Sequence, residues 1–156
     1  MSRRTDARSR PAARLGFTLL EILVVIAIIA LLAALVGPEV LRNASDARAQ
    51  AARTQLEMFS LALDGYRLDN HDYPTTAQGL QALRTLPASG EPPVNWRGPY
   101  LRRTVPKDPW GRDYLYVAPG RANPTTYDLY TLGRDGRAGG EGEDADVTSW
   151  GGEVTP

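Results

Sequence analysis

The sequence FTLLEILVVIAIIALLAALV, residues 17–36, decides the architecture of this chain, because only Thr18 and Glu21 interrupt an otherwise apolar stretch. A helix of this length measures about 30 Å, which matches the hydrocarbon thickness of a bilayer. We therefore predict a transmembrane helix over residues 17–38.

The residues before this stretch are polar and basic. Residues 1–16 carry five arginines against one aspartate. Positive charge next to an apolar span stays on the cytoplasmic side of a membrane. We expect a single-pass chain with residues 1–16 inside and the C-terminal domain outside the inner membrane.

The residues after the span continue with helix-forming composition. Apolar side chains recur at intervals of three and four, which predicts an amphipathic helix. The stripe consists of Ala49, Ala52, Leu56, Phe59, Leu63 and Tyr66. The simplest interpretation is one long helix, embedded in the membrane in its first half and amphipathic in its second.

The remainder of the chain is rich in turns and short elements. Thr75 and Gln78 have capping-box spacing ahead of a short second helix through Leu80, Leu83 and Leu86. Residues 87–109 contain six of the twelve prolines and predict an extended loop, and residues 114–117 and 127–132 predict two strands. The predicted fold class is α+β: the long helix packs on the short helix, the proline-rich loop and a small antiparallel sheet.

Composition excludes several function classes. The chain has no cysteine, one histidine (His71) and a net charge of zero. Thiol chemistry, disulfides and a histidine-rich metal site are therefore ruled out, and the charge balance argues against nucleic acid as a partner. Paired carboxylates occur only in the glycine-rich tail, which predicts no rigid catalytic pocket, so we expect no enzyme activity.

Glu21 is the anomaly of the apolar span. A carboxylate near the bilayer centre costs about 2.5–3.5 kcal/mol, and less near the edge. One interpretation is a tolerated interfacial glutamate. The other is that the carboxylate meets a charge on a neighbouring chain, which would favour one register of assembly.

The sequence Gly16-Phe17-Thr18-Leu19-Leu20-Glu21, behind a basic leader, resembles the prepilin-peptidase recognition segment of type IV pilins and pseudopilins. The resemblance implies cleavage between Gly16 and Phe17, N-methylation of Phe17 and a role for Glu21 in subunit register. An ordinary secretory signal is the alternative, with cleavage after the apolar run near Ala33, Ala34 or Gly37.

Four further segments resemble the major pseudopilins of type II secretion systems. They are residues 72–83 (DYPTTAQGLQAL), 96–101 (WRGPYL), 106–111 (PKDPWG), and 132–150, which contain LGRDGRAGG and DADV and end at Trp150. The absence of cysteine separates the chain from adhesive pilins, which usually end in a disulfide-bonded loop. The resemblance implies a cleaved leader (residues 1–16), a transmembrane and assembly helix (17–38) and a periplasmic domain (39–156).

The same resemblance implies a structural function. Subunits would polymerise into a helical periplasmic pseudopilus that helps drive folded exoproteins across the outer membrane. The implied partners are other copies of the chain, minor pseudopilins, prepilin peptidase, the inner-membrane secretion platform and membrane lipid. A type IV pilin for adhesion, motility or DNA uptake is one alternative, and a periplasmic binding domain on a simple anchor is another.

The acidic tail is a candidate metal site. Carboxylates in a glycine-rich loop suit a hard cation such as Ca²⁺, although the spacing is not that of an EF-hand and a solvated tail is the default interpretation. Glycines 136, 139 and 140 would let the loop fold back, and Glu141 and Glu143 are competing ligands. The resemblance implies calcium in this loop, and the predicted ligands are the side chains of Asp135, Asp144 and Asp146 and the carbonyls of Leu132, Arg137 and Val147.

Overall fold

The computed structural model describes residues 17–88 and 90–154. One long helix, α1 (Leu19–Asn70), precedes three short strands, β1 (Leu115–Val117), β2 (Asp128–Thr131) and β3 (Val147–Thr148). Two short 3₁₀ helices lie at Leu80–Leu83 and Gly142–Asp144. The contacts divide the chain into two units, residues 1–40 and residues 41–156. The α+β prediction is confirmed.

In the first unit, α1 is apolar and exposed. The span Leu19–Val36 is long and apolar enough to cross a membrane, and its large apolar side chains are exposed. Exposed apolar surface costs about 25 cal/mol per Å² in water. This half of α1 therefore requires lipid or other protein around it.

In the second unit, the predicted apolar stripe of α1 forms the core. Ala52, Leu56, Phe59, Leu63 and Tyr66 are all at most 3% exposed, whereas Ala49 is only half-buried. The Phe59 ring meets the edge of Tyr114 with centroids 5.1 Å apart. The spacing of three and four places these side chains on one helix face, and that face packs on the sheet and the loops.

The segment after α1 contains the predicted reciprocal hydrogen bonds, but they close the turn before the short helix, whose N-cap is Gly79 without a side-chain cap. The Thr75 N–H donates to Gln78 Oε1 at 2.9 Å, and the Gln78 N–H donates to Thr75 Oγ1 at 3.3 Å. The 3₁₀ helix then ends at Leu83, which is fully buried. Leu86 lies beyond the end of this helix and is 60% exposed, so its predicted place on the helix is wrong.

The sheet has the order β1-β2-β3 with antiparallel pairing throughout. β1 and β2 confirm the two predicted strands, with Tyr116 opposite Leu129. β3 was missed because two residues within the acidic tail give no alternating pattern. Val147 lies opposite Thr131 and is buried, so the tail is part of the sheet and the core.

Two buried aspartates organise the loops around the sheet. Asp108 Oδ1 accepts the N–H groups of Trp110 (3.0 Å) and Arg112 (2.7 Å), and its Oδ2 accepts the Thr131 hydroxyl. Asp108 is 5% exposed. The Asp108-Pro109 pair in the sequence gives no sign of this contact to β2, because Asp-Pro is typical of turns.

Asp128, at the start of β2, performs the same function for the loop before it. Its carboxylate accepts the N–H groups of Arg121, Ala122 and Asn123. The Asn123 side-chain amide donates as well, at 2.9 Å. Burial alone would raise the pKa of Asp128, but these hydrogen bonds together lower it below its ordinary value.

Candidate functional site

The predicted processing and assembly residues lie at the start of α1. Gly16 and the leader, residues 1–16, lie outside the described residues. Phe17 is 75% exposed and precedes the helix. The predicted cleavage therefore remains a prediction, since only the Phe17 side of that peptide bond is described.

Thr18 caps α1 and fixes the position of Glu21. The Glu21 N–H donates to Thr18 Oγ1 at 3.1 Å, which satisfies one of the helix's free backbone donors. Thr18 and Glu21 have capping-box spacing, and a carboxylate in the first turn is stabilised by the helix dipole. This local function of Glu21 was missed from the sequence, although the Thr-Leu-Leu-Glu spacing carried the signal.

The Glu21 side chain is exposed on α1. Among the ion pairs between described residues, none involves Glu21. Local capping explains why a carboxylate is tolerated at this end of the apolar span. It leaves the carboxylate oxygens available to a group on another chain.

The acidic tail folds back on itself, as its glycines suggested. Gly133 (φ +58°) and Gly140 (φ +93°) both lie against the backbone of Asp144. A Cβ at either position would come within 2.7 Å of the Asp144 carbonyl oxygen. The positive φ and the close approach together require glycine at both positions.

The predicted carboxylate ligands are held in three different ways. Asp135 Oδ1 accepts the Arg137 N–H at 3.0 Å in a local turn. Asp144 is bound by Arg134, with Nε–Oδ1 at 3.0 Å and Nη2–Oδ2 at 3.2 Å. Asp146 Oδ2 accepts the Gly139 N–H at 2.8 Å.

The predicted carbonyl ligands are less distinctive. The Leu132 carbonyl accepts the Gly136 N–H at 3.1 Å, and Val147 belongs to β3. Within residues 17–88 and 90–154, no three acidic or histidine side chains come together as a group able to hold a metal ion. The structure thus brings the predicted segments together but does not cluster their three carboxylates.

One observation fits a cation at this loop. Asp146 Oδ1 is buried and has no hydrogen-bond partner among the described residues. A buried carboxylate oxygen without a partner carries a large desolvation cost. A hard cation such as Ca²⁺, which takes carboxylate and carbonyl oxygens as ligands, would satisfy it. Asp144 fits the ligand set only if Arg134 releases it.

Three arginines that the sequence did not single out, Arg134, Arg48 and Arg112, contact the same loop. Arg134 also contacts Glu143 Oε2 at 2.8 Å, and Arg48 on α1 contacts Glu143 Oε1 at 2.7 Å. Arg112 donates to the carbonyls of Gly133 and Arg134. The distance of 95 positions between Arg48 and Glu143 explains why the sequence gave no sign of that pair.

Two family matches cover these parts of the chain. The family described as type II secretion system (T2SS), protein G, matches residues 39–150. The prokaryotic N-terminal methylation motif matches residues 12–37. The first match contains the sheet and the acidic tail, and the second contains Gly16, Phe17 and Glu21.

Relatives with the same printed name cover most of the chain. The type II secretion system core protein G of Vibrio cholerae is 50% identical over 135 residues, covering 86% of this chain and 90% of the relative. The Pseudomonas aeruginosa protein of that name is 45% identical, covering 86% of this chain and 94% of the relative. The crystal structure of the major pseudopilin from the type 2 secretion system of enterohaemorrhagic Escherichia coli aligns with a TM-score of 0.59 and 39% identity, covering 69% of this chain and 90% of that one. On the motif, the fold and these identities, the chain belongs to the type II secretion system protein G family, the major pseudopilins.

Proposed function

We propose that this chain is the structural subunit of a periplasmic pseudopilus that helps drive folded exoproteins across the outer membrane. The observation that carries the proposal is the exposed apolar half of α1, Leu19–Val36, which precedes a unit with its own core. Such a helix can lie in lipid before assembly and against other copies after it. The names of the relatives, core protein G and major pseudopilin, support the same function.

The proposed topology follows from the charges. The arginine-rich leader lies on the cytoplasmic side, α1 crosses the inner membrane, and the sheet domain lies in the periplasm. Prepilin peptidase cuts between Gly16 and Phe17, and the new amino group of Phe17 is methylated. The match of residues 12–37 to the methylation motif supports this step.

Assembly places the Glu21 carboxylate against the amino group of a neighbouring subunit's first residue. The exposed carboxylate has no ion-pair partner among the described side chains, so it is available for this contact. The pairing favours one axial register between subunits. Because the two contact surfaces are different, the interface does not close and growth gives a helical fibre.

The proposed function is not enzymatic. This sequence has no phosphate-binding glycine loop, so the chain does not itself supply energy from ATP. The energy for assembly comes from a cytoplasmic ATPase that acts through the inner-membrane platform. Minor pseudopilins are the expected partners at the fibre tip. The chain itself contributes the apolar surface of α1, the axial register set by Glu21 and a stable domain.

Calcium completes the tail in this proposal. The carboxylates of Asp146 and Asp135 would hold the ion, together with the carbonyls of Leu132, Arg137 and Val147, and Asp144 would join them if Arg134 released it. A bound cation would supply positive charge to these acids and would connect the tail to β3. Since the ion binds the folded loop, its binding free energy adds to the stability of the domain.

The test is complementation of a type II secretion strain that lacks its own core protein G. Expression of this chain is expected to restore release of an exoprotein into the medium. Mass spectrometry of the membrane-extracted chain is expected to show Phe17 as the first residue, bearing one methyl group. No exoprotein release here, together with restored surface motility in a strain that lacks its own major type IV pilin, would instead support the type IV pilin alternative.

A matched control separates processing from assembly. Gly16→Val is expected to leave the leader in place and abolish release, because the peptidase site is lost. Leu15→Val changes a neighbouring leader residue and is expected to be processed and to restore release. Release by an uncleaved Gly16→Val chain would contradict the processing step.

A further inference from the structure

The carboxylates of Asp144 and Glu143 form ion pairs with a cationic side chain of the same loop, Arg134. Arg134 makes two hydrogen bonds to Asp144, at 3.0 and 3.2 Å, and one to Glu143 at 2.8 Å. Its own N–H donates to the Glu143 carbonyl at 2.8 Å. A planar guanidinium that contacts two carboxylates in this way is a well-oriented charge partner.

The pairing also connects the loop to α1. Glu143 divides its two oxygens between Arg134 and Arg48, and only 18% of its side chain is exposed. Arg112 fixes the other end of the Arg134 residue by donating to its carbonyl. The backbone of Arg134 is therefore held by hydrogen bonds at both its N–H and its carbonyl, and this positions its guanidinium.

A divalent ion bound by Asp144 would need the same carboxylate oxygens that form the ion pair with Arg134. Asp144 Oδ1 and Oδ2 both accept hydrogen bonds from Arg134, whereas Asp146 Oδ1 is buried and has no hydrogen-bond partner within residues 17–88 and 90–154. A metal ion at Asp146 that recruits Asp144 must displace the guanidinium, because both Asp144 oxygens are occupied by Arg134 and two cations on one carboxylate repel each other.

We infer that Arg134 is a built-in counter-cation: it holds Asp144 and Glu143 when no metal is bound and competes with a divalent cation for Asp144. This inference rests on the calcium site of the proposed function and adds its regulation. Arg134 sets how much calcium the loop requires, and it keeps the tail ordered on α1 when calcium is scarce.

The test uses the full chain in detergent micelles, with Arg134→Gln as the variant. Arg121→Gln is the matched control, because it removes one exposed arginine from the loop before β2 and changes the net charge equally. Calcium affinity is measured by titration calorimetry, and melting temperature is measured in excess chelator. Arg134→Lys keeps the charge but not the two-pronged contact.

The inference predicts opposite effects in the two measurements. Arg134→Gln binds calcium about three- to tenfold more tightly than the unaltered chain, and it melts about 2–4 °C lower in chelator. Arg121→Gln changes neither value, and Arg134→Lys lies between. A residue that only braced the loop would weaken calcium binding and lower the melting temperature together.

The outcomes distinguish the inference from the calcium site itself. If the unaltered chain binds calcium and Arg134→Gln binds no more tightly, the competition is wrong and the calcium site stands. If only Arg134→Gln binds, the inference holds and the guanidinium replaces the metal in the natural chain. If neither binds calcium, the proposed site is wrong and the competition is wrong with it.

Discussion

The hydroxyl of Thr18 accepts the backbone N–H of Glu21 at 3.1 Å, so the residue proposed to set the assembly register is fixed by the residue that caps its helix. The cap orders the first turn of α1, and that turn carries the Glu21 carboxylate. Register between subunits then depends on a local contact within each subunit. A substitution that removes the Thr18 hydroxyl is therefore expected to reduce assembly.

Thr18→Val keeps the shape of the side chain and removes the acceptor. It is expected to destabilise the first turn by about 0.5–2 kcal/mol and to reduce filament yield while the chain still inserts in the membrane. Amide hydrogen exchange at Glu21 measures the fraying directly. Thr18→Ser retains the acceptor and is expected to behave as the unaltered chain, so equal exchange at Glu21 in all three chains would rule out the cap.

Asp146→Asn tests the calcium site at its buried oxygen. The unaltered chain is expected to gain about 2.7 kcal/mol of stability at a hundredfold excess of calcium over its Kd, and Asp146→Asn is expected to gain far less. In chelator the variant is expected to be at least as stable as the unaltered chain, since the amide removes a buried charge. Glu153→Gln, an exposed tail acid, is the control, and an undiminished calcium response in Asp146→Asn would contradict the ligand assignment.

Asp108→Ala tests the buried carboxylate that joins the residue 108–112 turn to β2. It leaves two N–H groups and the buried Thr131 hydroxyl without their acceptor, and we expect a loss of about 2–4 kcal/mol in the free energy of unfolding. Asp113→Ala is the control, because its pair with Lys107 lies on the surface with 79% of the Asp113 side chain exposed. Chemical denaturation measures both, and an equal loss in the two variants would contradict the account.

Asp128 is expected to give the stability of the domain a dependence on acid pH. Its pKa in the folded chain is lowered, so its contribution is fully present above the unfolded-state pKa of about 4. The contribution is lost as pH falls through the folded-state pKa. Asp128→Asn is expected to be less stable by about 1.5–3 kcal/mol near pH 7, with a difference that shrinks at acid pH. A difference that stays constant from pH 7 to the acid limit would exclude the carboxylate as the cause.

The sequence predicted the parts of the fold that periodic patterns encode. The stripe from Ala52 to Tyr66 marked the core face of α1, because helical spacing puts those residues on one side. The Thr75 and Gln78 spacing predicted their reciprocal hydrogen bonds, although these close a turn and the short helix begins later, at Leu80. Both patterns are local, so a single sequence suffices to read them.

Contacts between distant residues were not predictable in this way. β3 has only two residues and pairs with β2 across the glycine-rich tail. The Arg48 contact to Glu143 joins residues 95 positions apart, and the choice of Arg134 as the partner of Asp144 depends on how Gly133 and Gly140 fold the loop. The acidic residues of the tail could be identified from the sequence, whereas the arginines that pair with them could not be predicted.

The proposed function depends on α1 assembling copies of this chain through Glu21. The most direct measurement is electron microscopy of fibres sheared from cells that express the chain together with a type II secretion system lacking its own core protein G. Glu21→Gln removes the charge at constant shape, and Glu21→Asp retains the charge, with carbonate extraction confirming membrane insertion of each.

We expect fibres that contain this chain from the unaltered protein and fewer fibres from Glu21→Asp. We expect Glu21→Gln to give a processed membrane protein that does not assemble. Fibres of normal number and length from Glu21→Gln would contradict the register function of Glu21. A complete absence of fibres from the processed, unaltered chain would contradict the proposal that it polymerises.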